Sequence, residues 1–357
     1  MAYLMAIFSE RLDDSGIPRF SHRKAGLLYA LFLSFLPLID IIFAANGNFI
    51  RPVQNILIFT LLGLSLHIIT GITGLLHLGI AAFMAIGSYS YAILTAQIYP
   101  FQLNGWLALI IAWLFGGAFG CFLGIPTLRL RGDYLAIVTL GFGEIVQDIL
   151  KNLEVITKGT QGISPLPSPE LFGISLVTGS PVLWYYTLCV MVFFITWAIA
   201  NIERSPQGMS WRSVALDEIV AGCMKISVTK NKMRALFLGA ALASLSGALW
   251  AASLGTSGEP SNFDFQVSII ALCIVITGGL GSLVGSVLGT ALVVGFTSLF
   301  LGWLTRLLSV QGVVAGGSVY ASPNNWKYFV FGLALILMIR WRPEGLLPPE
   351  RKMGMGA

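Results

Sequence analysis

The sequence predicts an all-α, polytopic helical membrane protein of about ten transmembrane helices. Three observations predict it: 56% of the 357 residues are hydrophobic and only 10% are charged, mean hydropathy is +0.83, and long apolar runs recur along the whole chain. Each run is about 17–25 residues, the length a helix needs to cross a hydrocarbon core. The formal charge of +5 matters less than its placement, because Lys and Arg gather at the cytoplasmic ends of spans.

The chain opens with a polar stretch, residues 1–24, in which Glu10, Asp13 and Asp14 lie among the bases. The apolar run behind it exceeds the roughly 7–15 residues of a signal peptide, so a cytoplasmic tail followed by an uncleaved anchor is expected. Spans are predicted at 25–45, 54–70, 79–98, 106–128, 134–151, 183–202, 233–255, 267–281, 283–305 and 326–341. Residues 25–203 thus hold the first six spans, 204–232 a cytoplasmic loop, 233–341 the last four, and 342–357 a tail. With both termini cytoplasmic, the inner side receives Arg11, Arg19, Arg23, Lys24, Arg129, Arg131, Arg204, Arg212, Lys225, Lys230, Lys232, Arg234, Arg340, Arg342, Arg351 and Lys352. The outer side receives only Arg51, Lys151, Lys158, Arg306 and Lys327, and an odd number of spans would spoil this sorting.

Cys121, Cys189, Cys223 and Cys273 show no CxxC spacing. Three fall inside spans, where a thiol behaves as a small apolar group, so neither a disulfide nor a metal site is expected.

Three series of small residues repeat every fourth position: Gly116, Gly120 and Gly124; Gly239, Ala243, Gly247, Ala251 and Gly255; and Gly281, Gly285 and Gly289. Close backbone approach replaces the hydrophobic force that helices in lipid lack. Tight internal packing accounts for such series, and association with a second membrane subunit is the sharper reading.

Residues 63–79, GLSLHIITGITGLLHLG, suit an interrupted helix beside a pathway, because glycine exposes backbone groups that only protein or a water-filled cavity can satisfy at membrane depth. His67 and Thr70 are then pathway candidates; a plain cytoplasmic loop is the alternative. His67 and His77 also read as hydrogen-bonded packing residues, since no carboxylate or cysteine lies at metal-ligand spacing. Glu144 stands about 16 Å along a helix from Asp133, near the bilayer midplane, with Asp148 one turn later. Carboxylates at that depth face a cavity or a partner, and with Thr139 and Gln147 they are candidates to line a path for a solute bearing an amino group. Helix-to-helix hydrogen bonding or a neutral buried carboxyl is the competing reading.

The loop 204–232 holds a segment, Val214–Ile226, that would make a helix of roughly 20 Å, too short to cross. Val214, Leu216, Ile219, Val220, Cys223 and Ile226 give it an imperfect apolar face, Ser213 is its candidate N-cap, and Asp217 and Glu218 oppose the helix dipole. Docking of a soluble partner and lying on lipid headgroups both fit this composition.

WRSVALDEIVAGCMKI, from Trp211 to Ile226, resembles the cytoplasmic coupling loop of permeases in bacterial ABC importers for branched-chain amino acids. LRLRGDYLAIVTLGFGEIV from Leu128, Ile163 within TKGTQGIS, the NFDFQVSI and ITGGLGSLVGSVLG runs, and WRPEGLLP from Trp341 are similar to that family in the same order, over about residues 50–350. The resemblance implies that Trp211, Asp217, Glu218, Ala221, Gly222 and Lys225 form the ATPase-coupling site, with Glu218 and Ala221 in a short helix resting in an ATPase cleft. Lys225 stands where such loops usually carry glycine. The implied partners are a second homologous permease, two cytoplasmic ATPases, a periplasmic binding protein and the lipid of a bacterial inner membrane, with no role for nucleic acid. The implied solutes are branched-chain or other neutral amino acids, with amides and urea served by permeases of similar appearance. No cofactor is expected on this chain, with ATP and Mg held by the ATPases, because no G-x-x-x-x-G-K-[ST] loop occurs.

An enzyme is a poor fit, as G-x-S-x-G and H-E-x-x-H are absent and there are only three histidines. An ion-coupled secondary transporter, with Glu144 and Asp148 binding the ion, is the competing transport reading.

Overall fold

The computed structural model describes residues 50–127, 132–171, 174–177 and 181–301, together with 332, 336, 340 and 345–347. The predicted first span, the tails 1–24 and 342–357 and residues 306–325 between the last two predicted spans lie outside the described residues or nearly so, as does most of the tenth span.

The regular secondary structure of the described residues is helical apart from a short antiparallel ladder, β1 Glu170–Leu171 with β2 Ile174–Ser175. In order the helices are α1 Ile50–Leu66, α2 Ile80–Thr95, α3 Gly105–Thr127, α4 Asp133–Asn152, the single turn α5 Glu154–Thr157, α6 Pro181–Arg204, α7 Pro206–Leu216, α8 Glu218–Cys223, α9 Val228–Leu254, α10 Phe265–Gly278 and α11 Leu283–Gly295. Counting continuous π and 3-10 turns, six segments are long and apolar enough to cross a membrane: Ile50–Ile72, Gly105–Thr127, Pro181–Arg204, Val228–Leu254, Pro260–Gly278 and Leu283–Leu301. The helix predicted at 79–98 is apolar but shorter, Ile80–Thr95, and the one at 134–151 is long but carries Asp133, Glu144, Asp148 and Lys151.

Helix α9 is the hub, packing against α3, α2 and α1. Its small residues set the spacing. A Cβ on Gly247 would stand 1.9 Å from the Met84 carbonyl oxygen of α2, and one on Gly87 would stand 1.8 Å from the Ser244 carbonyl oxygen of α9. Gly116 and Gly120 of α3 meet Ser244 and Ala240 in the same way, while Gly239 meets Ile69. Ser244 also donates its hydroxyl to the Ala112 carbonyl of α3 at 2.7 Å. The third series closes α10 onto α11, where a Cβ on Gly289 would stand 2.2 Å from the Ile274 carbonyl. These glycine faces meet neighbours within the chain, in line with the reading of tight internal packing.

At the end of α6 and α9 remote from the 205–227 loop, residues 163–166 zip onto 255–257: Leu166 N–H donates to Gly255 O, Ser257 N–H to Ile163 O, and Ile163 N–H to Ser257 Oγ. Ser88 and Tyr89 of α2 reach up to the carbonyls of Ser257 and Gly258. This cap fixes the α2–α9 pair at one end, and the 205–227 segment lies at the other.

Candidate functional site

Helix α6 turns directly into α7, with Pro206 as its first residue, where a missing N–H costs nothing. Gly208 permits the corner, since a Cβ there would stand 2.4 Å from Glu203 O. The single predicted helix Val214–Ile226 is in fact two. Asp217 adopts an extended backbone, and its carboxylate accepts from the N–H groups of Ile219 and Val220 at 2.8 and 3.1 Å. A carboxylate satisfying two of the orphan donors starts a new helix there. Ser213, the predicted cap, lies inside α7 and donates its hydroxyl back to Met209 O instead.

Helix α8 ends in a Schellman turn: Ile226 N–H bonds Ala221 O and Lys225 N–H bonds Gly222 O, both at 3.1 Å. Lys225 occupies the left-handed position at φ 61, the one that glycine fills at lowest cost. The turn is preserved with lysine in that place.

The two short helices present two faces. Trp211, Val214 and Ala221 are buried inward, and the Trp211 indole N–H finds no hydrogen-bond partner among the described residues. Outward stand Leu216, at 88% exposure, with Ile219, Val220 and Met224, beside exposed Asp217, Gly222 and Lys225. Glu218 is no free contact: its carboxylate takes the Lys232 ammonium of α9 at 2.5 Å, with Lys232 only 3% exposed. Gln207 of α7 joins α9 too, donating to Asn231 Oδ1 and accepting from Arg234. The segment is thus anchored to α9 by an ion pair and an amide network, its apolar tip left exposed among the described residues.

The predicted pathway residues separate. Residues 63–79 do interrupt the helix: α1 passes into a π-turn, His67–Ile72, and then into non-helical chain up to Gly79. His67 faces Glu203 of α6, Nε2 to Oε1 at 2.7 Å, a carboxylate partner 136 residues away that local spacing could not disclose. Thr70 donates to Leu75 O within the interruption. His77 is buried and accepts from Gly79 N–H at the start of α2. Thr139 is buried, accepts from Leu78 N–H and packs its carbonyl against Gly79. Gln147 is buried too, donating to Pro260 O and accepting from Lys151. Glu144 and Asp148 point the other way. They lie on an exposed stripe of α4 with Tyr134, Ile137, Val138, Ile145 and Ile149, which no other described helix covers. The six predicted residues therefore do not line one cavity within this chain.

The exposed faces of α3 and α6 differ in kind: Leu107, Ile110, Leu114, Phe115 and Phe122 on the first, Val190, Phe193, Phe194 and Trp197 on the second. These are wholly apolar and suit lipid; the α4 stripe, with two carboxylates, does not.

Comparison with known proteins agrees with this architecture. The family model described as branched-chain amino acid transport system, permease component, matches residues 51–339. The high-affinity branched-chain amino acid transport system permease protein LivM of Salmonella typhimurium is 35% identical over 324 residues, covering 84% of this chain and 71% of its own. LivM of Escherichia coli K12 is 34% identical over 325 residues, with the same coverage. LivH of Escherichia coli K12 is 24% identical over 308 residues, covering 81% of this chain and 91% of its own. No solved structure matches the chain. The chain belongs to the family of branched-chain amino acid transport system permease components.

Proposed function

We propose that this chain is one membrane subunit of an ATP-driven importer in a bacterial inner membrane, passing branched-chain amino acids delivered by a periplasmic binding protein. The observation that carries the reading is the apolar tip of Leu216, Ile219, Val220 and Met224, exposed on a segment that the Asp217 cap shapes and the Glu218–Lys232 pair ties to the end of α9. Large apolar side chains clustered outside the spans mark a protein contact, and a cytoplasmic ATPase that binds ATP and Mg is the partner for which the family uses such a tip. Both termini are cytoplasmic in this reading, and ten spans complete the subunit.

The second permease subunit, of LivH type opposite this LivM-like chain, covers the α4 stripe. Glu144 and Asp148 then border the pathway at the interface, where their charges are desolvated by protein and solute rather than lipid. The test is extraction of the tagged chain in gentle detergent with everything that stays bound, followed by reconstitution and uptake of radiolabelled leucine. ATP-dependent and binding-protein-dependent uptake, insensitive to protonophore at fixed ATP, is expected. Protonophore-sensitive uptake by the chain alone would overturn the reading in favour of an ion-coupled carrier.

A further inference from the structure

Glu203, at the end of α6, is shared by two cations or cation-capable groups from different parts of the fold. One carboxylate oxygen meets His67 Nε2 at 2.7 Å, and the other meets Arg212 Nη2 of α7 at 3.4 Å. The two arms are unlike. His67 is fully buried at the first residue of the π-turn, and its Nδ1 has no hydrogen-bond partner among the described residues. The carboxylate can only accept, so Nε2 carries the proton and its hydrogen bond is the one that orients the ring. Gly71, one turn on, leaves the space for the ring, since a Cβ there would stand 2.8 Å from Nδ1. The Arg212 arm is longer and its side chain is 55% exposed, a pair that water and salt weaken.

We propose that Glu203 is the common member of a latch joining the intramembrane π-turn to the coupling segment, the Arg212 arm opening and closing as the segment moves while the His67 arm holds. The segment has a second and stronger anchor, Glu218 on buried Lys232, so displacement of its far side strains the weaker arm first. Opening it changes the electrostatic surroundings of His67, the buried imidazole at the first residue of a π-turn, a backbone form that recurs at functional positions. Through Glu203 the position of α7 thus biases the geometry of the end of α1. Arg212 and Glu203 are positioning residues in this mechanism, which rests on the importer reading above.

The test uses the importer reconstituted with the subunits that copurify, and reads leucine imported per ATP hydrolysed. Arg212→Ala is expected to lower this ratio about 5-fold or more, with assembly, melting temperature and ATP affinity unchanged because the lost pair is exposed. Glu203→Gln keeps a hydrogen bond to His67 but no attraction for Arg212, and is expected to lower the ratio equally. The double variant should be no worse than either alone, and Arg212→Lys, which can still meet one oxygen, should restore coupling. A wild-type ratio in Arg212→Ala, additive effects in the double variant, or loss of the assembled complex would each overturn the latch. Absence of ATP-driven uptake in the unaltered importer would instead bring down the importer reading, and the latch with it.

Discussion

Helices α9 and α4 both sit among membrane-length segments, yet they solve opposite problems. Helix α9 is sealed on nearly every side: Gly239, Ala240, Ala243, Ser244, Gly247, Ala248 and Ala251 are all buried, and their small size lets three neighbours come to backbone contact. Helix α4 is buried along one side only, through Leu135, Ala136, Thr139, Val146, Gln147 and Leu150, while Glu144 and Asp148 stand on its open stripe. The difference teaches where to look for a partner in such a chain. Small residues at a spacing of four indicate that backbones meet, and here they meet within one subunit. Carboxylates left uncovered at membrane depth indicate a surface that something else must complete.

The comparison breaks first if α9 tolerates bulk. Gly247→Leu places a side chain where the Met84 carbonyl already stands, and backbone cannot yield as a rotamer can. We expect a loss of about 3 kcal/mol or more, read as disappearance of the monodisperse peak in fluorescence-detected chromatography of the tagged chain. A normal peak and melting temperature would mean that α9 and α2 are not in backbone contact. On the other side of the comparison, Glu144→Gln removes a charge that stands exposed on α4 and has no ion pair or side-chain hydrogen bond among the described residues. Leucine uptake is expected to fall about 10-fold, the scale of one lost interaction of roughly 1.4 kcal/mol, with extraction yield and melting temperature unchanged. Unaltered uptake kinetics would take Glu144 out of the pathway.

The smallest effect is also the most discriminating. Gly141 lies on the open side of α4, and a Cβ there meets nothing within 4 Å. Gly141→Ala should therefore raise the stability of the isolated chain by about 0.5–1 kcal/mol through helix propensity alone. The same variant in the assembled importer reports on the stripe: a subunit packed closely over it turns the gain into a loss, and thermal melting of both preparations separates the two.

Much of the architecture is legible in residue order. Eight of the predicted spans coincide with described helices to within a few residues, because length and apolarity are local properties. The interruption at 63–79 is legible too, from its glycines. The split of the segment Val214–Ile226 was within reach: Asp217 followed by Glu218 is an N-cap signal, but the apolar face running through Leu216 and Ile219 conceals it. Nothing local discloses that His67 answers Glu203, that Glu218 answers Lys232, or that Leu216, Ile219, Val220 and Met224 turn outward while Trp211 and Val214 turn in.

The sequence by itself determined that this chain is a bundle of membrane-length helices with a short polar-flanked segment outside them, and that its small residues allow helices to touch. Those properties follow from the hydropathy and volume of side chains, which need no partner to be defined. Only the tertiary structure decided which helices touch, which carboxylates are answered among the described residues, and which apolar side chains turn outward. Each of these depends on residues far apart in the sequence, brought within hydrogen-bond or van der Waals distance by the packing of whole helices.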